Sequence, residues 1–226
     1  MSTNSSSTRE ENLSQQAYNT IRRAIRDGKI ARGQLFSENT LAESLGVSRT
    51  PVREALLNLY RDGVVDIVPK RGYRLAELDE DAISEIRLLR VALEQVVVSR
   101  LCEVGTPEGI QELRAILAGK GRTHQDMFTN DEAFHIRMAE LAGLRQIRRE
   151  LLSVRGKMYL MASGTRVTSL RNDDVMREHA DIVNALERRD SEAARRAITE
   201  HVERSIDAFV AARERLVESQ RIERIL

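Results

Sequence analysis

The stretch from Ser37 to Leu59 is compatible with very few folds. Leu41, Ala42 and Leu45 recur at helical spacing, and Gly46 follows where a left-handed residue can end a helix. Ser48 then stands where it can cap a second helix, with Pro51 inside the first turn. On that second helix Val52, Ala55, Leu56 and Leu59 form the core face, which leaves Arg49, Thr50 and Arg53 on or near its exposed N-terminal end. Two short helices joined through a tight glycine turn make a helix-turn-helix. Residues 64–68 and 73–75 read as strands joined through Pro69, Lys70, Arg71 and Gly72, a turn with two cations at its tip. A helix over residues 13–27 precedes both, with Leu13, Ala17, Ile21, Ala24 and Ile25 inward and Arg22, Arg23 and Arg26 along the other face. Residues 13–78 are therefore expected to form a winged helix-turn-helix domain.

A helix presented in this way can enter a DNA major groove. Arg49 and Arg53 suit guanine edges, Thr50 suits a phosphate or a thymine methyl, and Ser48 completes the DNA-facing set. Lys70 and Arg71 at the wing tip suit phosphates or the adjacent minor groove, Arg71 being the better groove reader because guanidinium is less strongly hydrated. The alternative is a helical hairpin whose arginines are merely solvated, and the cationic wing argues against it. The chain carries a formal net charge of only +1, but residues 1–78 hold 12 Lys and Arg against 9 Asp and Glu, so the basic surplus is local to this part.

The stretch from Leu13 to Leu75 resembles the N-terminal domain of the GntR family of bacterial regulators. Its most specific piece is Gly46-Val47-Ser48-Arg49-Thr50-Pro51-Val52-Arg53-Glu54-Ala55-Leu56, which matches the family's recognition-helix pattern almost residue for residue. The resemblance implies that Arg49, Thr50 and Arg53 contact operator DNA and that Gly72 lets the wing approach it. Some relatives carry arginine in the preceding helix where this chain has Asn39.

Beyond a linker at residues 76–78 the pattern is helical throughout. Apolar residues recur at helical spacing over residues 83–104, 110–117, 126–141, 144–161, 173–186 and 192–217, with Gly105-Thr106-Pro107, residues 119–123, Gly143 and Gly164 as breaks. The fold class is therefore mainly α: a tail over residues 1–12, expected to be disordered, the winged domain, and an antiparallel six-helix bundle over residues 79–226. Cys102 is the only cysteine, so neither an internal disulfide nor a thiolate metal cluster is expected. No apolar run is long enough to span a membrane and no signal peptide is apparent, which gives cytoplasmic localisation as the expectation.

Three histidines set this bundle apart. Asp131 and His135, four residues apart, leave the same helix face as Phe134 and Met138. His179 lies among Met176, Ile182, Val183 and Leu186, and His201 among Ala194, Ala197, Ile198 and Val202. A turn near residues 188–190 puts these two histidines at nearly the same height on antiparallel helices. One histidine on an apolar face is usually a satisfied core residue; three such faces and an i, i+4 aspartate point to a divalent metal. Imidazole and carboxylate ligands suit zinc, nickel, manganese or iron, zinc being the expected ion. His124 lacks such company and reads as a surface or capping residue.

The motifs Asp131-x-x-Phe134-His135, Glu178-His179 and Ala193-x-x-x-Ala197-x-x-x-His201 resemble the FCD effector-binding domain of the FadR subfamily, in its VanR-like six-helix form. The resemblance implies that Asp131, His135, His179 and His201 hold a divalent cation and that a small carboxylate effector completes its coordination. It also places Arg90, in Arg90-x-x-Leu93-Glu94, at the effector cavity, with a solvated helix charge as the alternative. Arg155 is a further effector-binding candidate from helix phase. Relatives commonly show Asn where this chain has Leu144. The function so implied is that of a homodimeric repressor on a palindromic operator, released by an organic acid, and not of an enzyme. A metalloenzyme using the same Asp and three His is the rival reading, but no further motif supplies a general base, and Ala180 separates His179 from Asp181. An architectural DNA-binding protein whose bundle only dimerises is the other rival.

Overall fold

The computed structural model describes residues 4–118, 124–165 and 171–223. It divides into two compact units: Met1–Leu78 with Gly156–Thr165, and Asp79–Arg155 with Arg166–Leu226.

In the first unit α1 (Asn4–Arg26), α2 (Glu38–Leu45) and α3 (Arg49–Arg61) precede a hairpin of β1 (Val65–Val68) and β2 (Gly72–Leu75). Gly46 ends α2 at φ 65°, its N–H donating to the carbonyls of Ala42 and Glu43, and Ser37 caps the other end by accepting from Thr40 N. The expected inward residues of α3, Val52, Ala55, Leu56 and Leu59, have no exposure. They meet Ala17, Ile21 and Ile25 of α1 and Val64 at the start of the hairpin, all buried. The strands pair antiparallel, Val65 opposite Leu75 and Val68 opposite Gly72. Phe36 adds a bridge to Tyr73, against whose ring it stacks at 6.2 Å.

One expectation needs correction here. The segment read as a disordered tail is helical from Asn4 on, while residues 1–3 lie outside the described residues. Neither proline nor glycine interrupts the chain between Asn4 and Arg26, and extending a helix already nucleated by a packed face costs little. Of the arginines on the outer face of α1, Arg23 is exposed, but Arg22 is 2% exposed and Arg26 is buried. The Arg22 guanidinium lies 3.9 Å from the ring centroid of Tyr159, a cation–π contact to the segment Gly156–Thr165 that this unit includes. Local periodicity cannot reveal such a cover.

The second unit holds α4 (Glu80–Val104), α5 (Pro107–Leu117), α6 (His124–Leu141), most of α7 (Arg145–Ala162), α8 (Asn172–Glu187) and α9 (Ser191–Glu223). Each expected helix is present within a few residues of its bounds; residues 119–123, read as a break, lie outside the described residues. Local chemistry sets the ends. Asp79 caps α4 by accepting from Ala82 N at 2.8 Å, and Thr106 caps α5 ahead of Pro107. Between α8 and α9 the chain reverses within three residues, where Arg189 adopts φ 54° and Asp190 accepts from Ala193 N. The Arg189 side chain donates to the carbonyls of Cys102, Glu103 and Gly105, closing the C-terminal end of α4. The α8–α9 hairpin is thus tied to α4, and both pack on it. Among the described residues no helix is long and apolar enough to cross a membrane.

Candidate functional site

The four residues expected to meet do meet. One ligand atom each from Asp131 and His135 of α6, His179 of α8 and His201 of α9 lie within 4.8 Å of one another. The imidazoles are at most 2% exposed and Asp131 is 22% exposed. Helix phase does this: His135 follows Asp131 by one turn, and the tight α8–α9 reversal sets His179 opposite His201. The Nε2 atoms of His135 and His201 are 3.1 Å apart and those of His179 and His201 are 3.4 Å apart. Asp131 Oδ1 lies 3.2 Å from His179 Nε2 and 3.7 Å from the Nε2 atoms of both other histidines.

These separations suit one cation. Ligand atoms about 2.1 Å from a metal stand about 3.0 Å apart in an octahedral array and about 3.4 Å apart in a tetrahedral one. Three nitrogens and one carboxylate oxygen are a donor set for zinc, nickel, manganese or iron. The electrostatics keep His179, His201 and Asp131 unprotonated. Burial pushes the His179 imidazole down to about 4 despite Asp131 beside it. Burial and then the neighbouring His179 and His135 hold His201 well below its ordinary value. Burial would raise the Asp131 carboxyl, but Arg155 and the neighbouring His135 and His179 outweigh it and keep it well below the usual range.

Both arginine candidates are inside. Arg90 is 1% exposed and its Nη2 lies 3.4 Å from His135 Nε2, so it is not the solvated helix charge offered as the alternative. Arg155, 2% exposed, donates from Nη2 to Asp131 Oδ2, while among the described residues its Nε and Nη1 make no hydrogen bond. Sequence reasoning gave no role to two carboxylates that the structure brings to the cluster. Glu94 Oε1 accepts from Arg90 Nε at 2.7 Å and its Oε2 meets His135 Nδ1. Burial opposes its charge, but Arg90, His135 and Arg155 bring the carboxyl down to about 2. Glu178 Oε2 accepts from His201 Nδ1 at 2.9 Å and its Oε1 accepts from Arg171 at 2.5 Å. Glu94 is one helical turn from Arg90 and Glu178 is next to His179, a placement that becomes meaningful only once the neighbouring helices are known.

In the first unit Ser48, Arg49, Thr50 and Arg53 are exposed along the start of α3, and Lys70 and Arg71 are exposed at the wing tip. Ser48 occupies the N-cap position of α3 but makes no capping hydrogen bond. Arg49 Nη1 donates to Asn39 Oδ1 at 3.2 Å, so the residue standing where some relatives have arginine holds an arginine of α3 instead. Glu38, also missed, accepts from Tyr73 Oη at 3.1 Å and lies 3.9 Å from Arg53 Nε. Gly72 has a packing reason of its own, for at φ 119° a Cβ there would stand 2.4 Å from the Phe36 carbonyl oxygen. His124 begins α6.

Comparison with known proteins follows this division. Residues 13–75 match the family model described as bacterial regulatory proteins, gntR family, and residues 85–204 match the FCD domain. The HTH-type transcriptional repressor RspR of Escherichia coli is 30% identical over 202 residues, covering 84% of this chain and 86% of the relative. An HTH-type transcriptional regulator from an unstable DNA locus of Streptomyces ambofaciens is 30% identical over 193 residues, covering 84% and 82%. Among solved structures, E. coli McbR/YncC superposes with a TM-score of 0.74 at 21% identity, over 88% of this chain and 97% of that one. A GntR regulator of Rhodococcus sp. RHA1 gives 0.64 at 23% identity, over 88% and 98%.

Proposed function

The chain belongs to the GntR family of bacterial regulatory proteins, a family of DNA-binding regulators and not of enzymes, with an FCD effector domain after its winged head, and on that premise we propose that it is a homodimeric repressor released by a small organic acid bound at a divalent metal. The observation that carries this reading is the convergence of Asp131, His135, His179 and His201 on one buried point with Arg90 and Arg155 beside it. Charge supports an acidic effector. Two buried guanidiniums, Arg90 and Arg155, are balanced by two carboxylates, Glu94 and Asp131, so a divalent cation adds positive charge that burial penalises until an anion joins it. The cation, when bound, supplies Lewis-acid coordination of a carboxylate. Arg155 Nε, without a hydrogen bond among the described residues, and Nη1, 3.8 Å from Glu94 Oε1, suit that anion.

On the DNA side Arg49, Thr50 and Arg53 read the major groove, Ser48 and Lys70 meet phosphates, and Arg71 serves the groove beneath the wing. A two-fold dimer reads an inverted repeat. Repression accords with the name of the E. coli relative. The effector acts through unequal affinity for the DNA-competent and DNA-incompetent conformations. The test is a titration of mono- and dicarboxylic acids into complexes of zinc-loaded protein with duplexes selected from a random pool. At least one acid is expected to release the DNA, and treatment with EDTA should abolish that response. Binding that is unchanged or tightened by every acid would count against release, and a response indifferent to EDTA would count against the metal.

A further inference from the structure

Glu94 and Glu178 lie outside the ring of metal-facing atoms, yet each meets the Nδ1 atom of one imidazole in it. A neutral imidazole carries one proton. If that proton sits on Nδ1 and is donated to a carboxylate, Nε2 is left as a bare lone pair. His135 and His201 then point two such lone pairs at each other across 3.1 Å, with Asp131 Oδ1 3.7 Å from both and Arg90 Nη2 3.4 Å from His135 Nε2, at the long end of a hydrogen bond. Acceptors facing acceptors inside a protein call for a cation between them. We propose that Glu94 and Glu178 are the positioning residues of this centre, fixing the tautomer and aim of His135 and His201 so that both are ready to ligate. The proposal rests on the metal reading above and extends it to residues that touch neither cation nor effector.

The two relays differ in how they are held. Glu94 is 1% exposed and is clamped by Arg90 at 2.7 Å, with Arg155 Nη1 3.8 Å away. Glu178 is 8% exposed and takes its charge partners, Arg171 at 2.5 Å and Arg204 at 3.6 Å, from the outer side of the bundle. Removing Glu94 strands the buried Arg90 guanidinium, so Glu178 is the position at which fold and ligation can be separated. Merely neutralising Arg171 would be a structural task that leaves the His201 tautomer free.

The experiment titrates Co2+ alone into the metal-free full-length chain, following the visible ligand-field bands, and records the imidazole nitrogens of the metal-free chain by 15N NMR. Wild type is expected to bind Co2+ and to show His201 protonated at Nδ1 only. Glu178→Leu should weaken Co2+ binding about 10- to 100-fold and give a mixture of His201 tautomers, while Glu178→Gln, which keeps an oxygen acceptor but no charge, should recover most of the affinity. Wild-type affinity in Glu178→Leu, or His201 protonated at Nε2 in wild type, would overturn the proposal. Should the leucine variant not fold, the wild-type spectrum and the glutamine variant decide alone: Nδ1 protonation with near-native affinity supports it, and either one missing sinks it. A wild-type chain that takes up no Co2+ sinks the metal reading and this proposal together, whereas uptake indifferent to Glu178 sinks this proposal only.

Discussion

Arg49 and Lys70 are both exposed cations in the winged unit, but their surroundings assign them different work. Arg49 stands in the first turn of a rigid helix and is steadied by Asn39, so its guanidinium is presented with little rotamer freedom left to lose. Lys70 sits on a turn with φ 62°, and its ammonium rides on a flexible stem. Arg49→Ala is accordingly expected to cost roughly 1 to 3 kcal/mol against the preferred duplex and to relax preference at one base pair. Asn39→Ala should reproduce part of that loss without touching DNA. Lys70→Ala should weaken all duplexes alike and lower the slope of log affinity against log salt by about one. Fluorescence anisotropy with matched and mismatched duplexes at several salt concentrations separates these patterns, and base selectivity lost at Lys70 but retained at Arg49 would reverse the assignment.

At the scale of elements the α8–α9 hairpin carries much of the site, because it supplies His179 and His201, and Arg189 ties its turn to the end of α4. Arg189 closes the C-terminal end of α4 with three carbonyl contacts from 3.0 to 3.2 Å. Arg189→Ala keeps the strained backbone and removes those charge-assisted bonds, so it should lower stability by about 2 kcal/mol. A urea midpoint unchanged from wild type would show that water replaces the arginine without cost. The helices, the Gly46 end of α2 and the reversal before Ser191 could be read from the sequence because each depends on residues within a turn or two of itself, although Ser48, read as the cap of α3, makes no capping hydrogen bond. The convergence of Asp131 with three histidines could be read as well, since it follows from helix phase and one short connection. Burial of Arg22 under Tyr159 could not, because the covering residue lies more than 130 positions away. The roles of Glu94 and Glu178 were hidden for the same reason: a glutamate on a helix reads as a solvated charge until a neighbouring helix brings an imidazole to it.

Across the whole molecule the buried cluster ties folding to pH. His179 titrates near 4 when folded against 6.5 in the open chain, because burial disfavours its charged form. Between those values the unfolded chain binds the proton that the folded chain refuses, so stability present above pH 6.5 drains away as the pH falls toward 4. From pH 7 to pH 5 this single group should remove about 2 kcal/mol. His201, shifted in the same direction by burial and its imidazole neighbours, adds to the loss. Glu178 opposes it, since burial raises its carboxyl and the folded state then gains from acidification. Asp131 and Glu94 hold their charge in this window and contribute mainly below it. Two shifted histidines against one opposed glutamate leave a net loss, so EDTA-treated protein should unfold at a clearly lower urea concentration at pH 5 than at pH 7. Zinc should raise the midpoint at pH 7 far more than at pH 5, where protons compete for the same imidazole nitrogens. Equal midpoints at the two pH values without metal would mean that the imidazoles already carry protons in the folded chain, a state unable to present three bare nitrogens to a cation.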